Sequence, residues 1–266
     1  MTTIVKFTLL VIAIVLSAIG LNFWIGHSQS SQPKRYVVES GDFYFEPPGL
    51  LIQPGDTVEW VFVEITVDGH TTTAYHPNYK KELRMPESAK PWDSDLILDK
   101  SKTYLVQLDT LGIYDYFCLF HEFLGMIGRI IVKEPIGPVA AKPTITGLPP
   151  AALKEMPSID EIMGPIGKIF NFMGELNASV QRYRINQTKK SLETLDNLIA
   201  ELKAGSNRAD SLFELMKKIN LLTNLEKTLQ ELQQSIGAQA PLEKIEQQAK
   251  DIKNVLREAR QKLKTN

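Results

Sequence analysis

The chain has 266 residues, 43% of them apolar and 23% charged, with a formal net charge of −1. That length exceeds what one small domain needs, and the absence of a basic excess argues against a nucleic-acid binder. The near-neutral total hides an asymmetry: residues 33–134 hold 10 Lys/Arg against 16 Asp/Glu, and residues 135–266 hold 19 against 15.

At the start, residues 7–26 carry no charge and follow Lys6. About 20 apolar residues can cross a hydrocarbon core. Residues 1–26 are therefore expected to form an N-terminal transmembrane helix, with Trp24 suited to the interface. A cleaved secretion signal is the alternative. Either way the bulk of the chain is expected outside the cytoplasmic membrane, on the periplasmic or extracellular side.

Short β-branched and aromatic runs come next: Tyr36-Val-Val, Leu50-Leu-Ile-Gln, Thr57 to Val63, Thr103 to Leu108, Tyr114 to Phe117 and Ile127 to Val132. Pro54-Gly-Asp, Asp68-Gly69 and Gly112 punctuate them. Alternation of Thr57, Glu59 and Val61 with Val58, Trp60 and Phe62 predicts a half-buried strand. Residues 33–134 thus read as a two-sheet β-sandwich, with 78–100 as an excursion of little regular structure. Six prolines between 135 and 157 predict a semi-rigid linker.

Residues 158–266 read as helical. Ser158-Ile-Asp-Glu161 is a capping box, followed by a proline at 165 that disturbs the early turns. Leu192 to Leu202 mark a second helix and Leu212 to Ile236 a third. Leu242, Ile245, Ala249, Ile252, Leu256, Ala259 and Leu263 mark a fourth, at steps of three and four. Such steps predict an antiparallel helical bundle or coiled coil, closed within the chain or by self-association.

The chemistry is concentrated in one cysteine. Cys118 is the only thiol, and it lies in the run Cys118-Leu-Phe-His121-Glu-Phe-Leu-Gly-Met126. His70 follows the turn Asp68-Gly69 far upstream. One thiolate, two imidazoles and a thioether make the donor set of a blue-copper site, a His2Cys plane with a weak axial Met. A free thiol in an oxidising compartment is a liability unless something occupies it. Copper would.

Residues 35–133 resemble a cupredoxin of the plastocyanin, halocyanin and auracyanin kind. Phe45-x-Pro47, Ile52-x-Pro54-Gly-Asp-Thr-Val-Glu-Trp60 and Gly112-x-Tyr-x-Tyr-x-Cys118-x-x-His121-x4-Met126-x-Gly128 carry the resemblance. It implies an eight-stranded Greek-key sandwich with one type 1 copper, cycling between Cu(I) and Cu(II). The implied ligands are His70, Cys118, His121 and Met126. Many relatives have Asn after the first histidine, whereas Thr71 stands here, which leaves the potential open. His76 is read as an exposed loop residue, with a hydrogen-bond donor to a copper ligand or an accessory ligand as alternatives. Glu122 raises a rival, a red copper centre of the nitrosocyanin kind, but with Met126 available it is expected in solvent.

Four histidines in all leave too few for a second, catalytic copper, and neither a C-x-x-C-H motif nor a phosphate loop is present. A non-enzymatic electron carrier is therefore expected, exchanging electrons through His121 within an apolar patch of Phe120, Phe123 and Leu124. Expected partners are redox proteins, such as a c-type cytochrome or a membrane oxidoreductase complex, with self-association through the helices. Copper storage or delivery, and a scaffold role in a membrane redox complex, are the alternatives.

Overall fold

The computed structural model of the protein describes residues 32–141, 147–205 and 211–265. The expected membrane helix at 1–26 lies outside them. Among the described residues no helix is long and apolar enough to cross a membrane. Residues Pro33–Asn266 make one compact unit.

Among the described residues, eight strands form two four-stranded sheets. The first has the order β2(Tyr44–Glu46)-β1(Arg35–Gly41)-β4(Asp56–Phe62)-β6(Thr103–Leu108), and the second β3(Gly49–Ile52)-β8(Ile127–Val132)-β7(Gly112–Phe117)-β5(Thr73–Ala74). β1 runs parallel to β4 and β3 parallel to β8, whereas the other pairs are antiparallel. Between the sheets lie Val38, Leu50, Val58, Trp60, Phe62, Tyr116 and Ile130. The excursion at 78–100 has little regular structure, as expected, yet it sends Met85 and Trp92 into this core. β2 and β5 are the strands that composition alone did not mark.

Seven helices follow among the described residues: α1(Pro150–Glu155), α2(Ile159–Met163), α3(Pro165–Asn186), α4(Lys189–Ala204), α5(Leu212–Lys218), α6(Leu222–Gly237) and α7(Leu242–Thr265). The capping box is present, with Glu161 N donating to Ser158 Oγ at 3.1 Å and Ser158 N to Glu161 Oε2 at 2.7 Å. The helix that the capping box opens, α2, ends at Met163, just before Pro165, and a new helix starts there. Pro165 is the first residue of α3, where its missing N–H costs nothing. The expected third helix is two, broken where Asn220 takes φ +57°. The heptad residues of α7 are spent inside the chain, in one core with α3 to α6.

Two expectations about layers change. β4 is buried on both faces, because Val61 packs with Val37 of β1 and Ala178 of α3. The proline-rich stretch is more than a spacer: it contains α1, and α2, α3 and α7 after it lie directly on the sandwich. Residue 174 of α3 is glycine, and a Cβ there would meet Leu50 Cδ2 at 3.1 Å and Tyr36 Cδ1 at 3.2 Å. Charge follows the same seam. Lys253 binds Glu39 at 2.6 Å, Lys34 binds Glu175 at 2.7 Å, and Arg257 pairs with Glu46. In the first and last of these pairs a helix base meets a sandwich acid, so part of the basic surplus of the helices is spent there.

Asn171 of α3 closes an exposed edge. Its carboxamide accepts from Leu51 N at 2.9 Å and donates to Leu51 O at 2.5 Å, satisfying backbone groups of edge strand β3. Asn171→Ala is expected to lower the unfolding free energy by about 1–3 kcal/mol, since both groups lose their partners. Denaturant titration of wild type and variant checks this.

Candidate metal centre

β7 delivers Cys118, and a tight loop returns the chain into β8. Inside that loop Cys118 N donates to Met126 O at 3.0 Å, and Met126 N donates to His121 O at 3.1 Å. His121 N and Glu122 N both donate to Cys118 O, at 3.2 and 3.0 Å. A 3₁₀ turn, Glu122–Leu124, ends at Gly125 with φ +97°, a conformation that suits glycine. The spacing C-x2-H-x4-M is therefore closed by its own backbone bonds. His70 arrives from the other side, bridged to Ile97 by bonds of 3.0 and 2.9 Å.

The two segments bring three donor atoms together. Cys118 Sγ lies 3.5 Å from His121 Nδ1 and 4.0 Å from His70 Nδ1, and the two Nδ1 atoms are 3.1 Å apart. His70, Cys118 and Met126 are fully buried, and His121 is 3% exposed. Two imidazole nitrogens that close cannot both carry protons, and with a thiolate beside them they suit one soft, borderline cation. Burial and the neighbouring His121 push the His70 pKa down to about 4, against the pull of Asp42 and Glu64. Burial pushes His121 down as well, opposed by Asp68 and Asp42. Both imidazoles thus stay neutral and available to a metal at neutral pH.

The family described as copper binding proteins of the plastocyanin/azurin type matches residues 34–133. A chloroplastic plastocyanin of Tetradesmus obliquus is 30% identical over 119 residues, 42% of this chain and 73% of that protein. Plastocyanin of Scenedesmus fuscus is 31% identical over 98 residues, 36% of this chain and 92% of that protein. The chain belongs to the plastocyanin/azurin copper-binding family. Among solved structures, a pseudoazurin from Sinorhizobium meliltoi is 30% identical, covering 48% of this chain and 96% of that one, with a TM-score of 0.36. The helices from 150 onward lie beyond the family's match.

Copper is the cofactor, and the buried donor set fits it. Thr71 joins the two ligand segments. Its N–H donates to Cys118 Sγ at 3.3 Å, and its Oγ1 accepts from Leu119 N at 2.9 Å. The hydroxyl then donates to Thr73 Oγ1 at 3.0 Å, which donates to Asp93 Oδ1 at 3.0 Å. A donor on the sulfur stabilises the thiolate.

His76 stays out of the donor cluster and accepts from Asn78 N at 3.1 Å, capping a 3₁₀ turn. Glu122 is not in solvent: it is 7% exposed, accepts from Tyr75 Oη at 2.7 Å, and pairs with Lys81. Its carboxylate is occupied there, and it is absent from the donor cluster. Phe120, Phe123 and Leu124 are exposed as expected, Phe123 by 63%. Sequence reasoning missed Leu119, also exposed, and Phe43, whose ring meets His121 edge-on at 4.9 Å between centroids. Phe43 sits at φ +67° in the β1–β2 turn, and nothing local in the sequence marks it.

Acid should unfold the copper-free protein along a predictable course. An unfolded His titrates near its ordinary 6.5, whereas folded His70 binds a proton only near pH 4. The unfolded chain therefore holds more protons between those values, and stability falls as pH drops through that window. The melting temperature of apo-protein should be steady above pH 6.5 and decline from there to pH 4. A flat profile across that range would contradict the burial of His70.

Proposed function

We propose that the chain is a single-electron carrier, in which His70, Cys118, His121 and Met126 would hold copper. The observation that carries the reading is a closed, buried donor set, with His121 alone 3% exposed, beneath exposed apolar side chains. Bound copper supplies a Cu(I)/Cu(II) couple, and soft sulfur beside imidazole suits both charges. The protein's own task is to hold those donors still. Thr71 and the backbone bonds of the 118–126 loop keep them in place, and the surrounding core keeps water away from the sulfur. Phe43, Leu119, Phe120, Phe123 and Leu124 form the surface through which a redox partner reaches His121.

The rest of the reading extends this. Residues 33–134 act as the copper unit, 135–157 as a connection and 158–266 as a helical unit. The uncharged run at 7–26 supports anchorage on the outer side of the cytoplasmic membrane. The acidic surplus of 33–134 supports a basic partner such as a c-type cytochrome, with association weakening as salt rises. With one cysteine and four histidines in the sequence, a second copper for substrate chemistry has too few ligands. Storage or delivery of copper ranks lower, since that work favours open, exposed sites.

Copper-loaded protein should show an intense thiolate-to-copper absorption and reversible one-electron titration. Cys118→Ser should lose the absorption, and rapid surrender of copper to a chelator would favour the delivery reading instead. Phe123→Glu is expected to slow exchange with the physiological partner roughly tenfold or more, by placing a charge in an apolar contact. Its absorption spectrum should stay that of the parent. Stopped-flow mixing with the partner measures both, and an unchanged rate removes Phe123 from the docking surface.

A further inference from the structure

The copper loop is braced from outside by a helix that lies beyond the family's match. α1 packs on the 3₁₀ turn Glu122–Leu124. The approach is close: a Cβ on Gly125 would meet Glu155 Cγ at 3.0 Å and Ala151 O at 3.3 Å. Ala152 and Met156 are buried in one cluster with Tyr75, Phe117 and Ile127. Phe117 immediately precedes Cys118, and Ile127 immediately follows Met126. The cluster therefore grips both ends of the segment that carries three of the four proposed ligands. Beneath it Glu122 is held by Tyr75 and Lys81.

The helix itself is anchored. Arg129 Nη1 donates to Pro157 O at 2.9 Å, just past the end of α1. The same guanidinium binds the buried Asp115 at 2.6 Å, and Arg84 binds that carboxylate from the other side at 2.7 Å. Asp115 and Arg129 are directly paired across β7 and β8. The clamp is thus tied to the strands on either side of the copper loop.

We propose that α1 with Met156 is a brace that sets the geometry and metal retention of the copper loop, with Met156 and Ala152 as positioning residues. They act through Phe117 and Ile127, which fix where Cys118 and Met126 begin and end. This rests on the copper reading above. A loop held on its outer side resists the small displacement of sulfur that accompanies loss of the metal, so removal of the brace shows first in copper exchange and in the thiolate absorption. Partners hydrogen-bonded to metal ligands are worth about 10- to 100-fold in metal affinity, and the lower end of that range is expected for an apolar support.

The test uses full-length, copper-loaded protein and three variants. Met156→Ala opens the brace, Met156→Leu refills it, and Ile162→Ala opens a cavity elsewhere. Ile162 packs on Ile113 and Ile131, a cross-strand pair at the opposite end of β7 and β8 from Phe117 and Ile127. Met156→Ala should release Cu(I) to an excess of chelator about tenfold faster, and shift the intensity ratio of the thiolate-to-copper bands. Met156→Leu should restore both, and Ile162→Ala should leave both at wild-type values despite a lower melting temperature. If Met156→Ala does not fold, the smaller truncation Met156→Val gives the same comparison. Release and spectrum unchanged in Met156→Ala, or changed equally in Ile162→Ala, would overturn the brace. A wild type that takes up no copper would overturn the copper reading and the brace together, so the two failures are told apart.

Discussion

A single sulfur fixes the plan of this protein. Cys118 Sγ is reached by an N–H from Thr71, 47 residues away in sequence, and faces two imidazoles drawn from both segments. For that to happen the turn before β5 and the turn after β7 must end side by side. The β5–β7 pairing, with Thr73 opposite Phe117, supplies that register. A slip of one residue would turn Cys118 away from His70. The sandwich therefore matters chiefly as a frame that brings two loop ends to one point.

The threonine at 71 shows how a different residue can meet the same demand. Two loops that meet at a metal need a cross-link that survives a change in the metal's charge. An amide side chain can give one, and so can a hydroxyl that accepts from one loop and donates onward into its own strand. Here the onward route ends at Asp93, an acceptor well placed to hold the Thr73 hydroxyl and therefore the direction of the whole chain of bonds. The orientation of the Thr71 hydroxyl is set by Leu119 N–H on one side and by Thr73 and Asp93 on the other.

Legibility in the sequence followed distance along the chain. Cys118, His121 and Met126 share one loop, so their spacing was readable, as were the longer strands and the Ser158 capping box. β2 and β5, of three and two residues, carry too few side chains to show a period. Glu122 was misplaced because its partners, Tyr75 and Lys81, lie more than 40 positions away. The third layer was written in the sequence but read too simply. Val37, Val61, Ile113 and Ile131 are apolar on sheet faces that solvent would otherwise cover, which is the mark of strands buried on both sides. Phe43 had no such mark, since its role comes from where the β1–β2 turn places it.

The helices and the copper end divide the surface between them. α3 covers β1 and β3, and α2 and α3 seal Ile113 and Ile131, while α1 covers the flank beside Phe117. Exposed large apolar side chains then gather around His121: Phe43, Leu119, Phe120, Phe123 and Leu124. Such a cluster on a soluble surface calls for a partner. Phe117, next to the sulfur, is wholly buried, so a partner approaching along that flank meets α1 before it meets the copper loop. Added structure on the sides of the sandwich leaves its metal end as the short path for an electron. In that sense the helical addition narrows where exchange can happen, without touching the atoms that exchange.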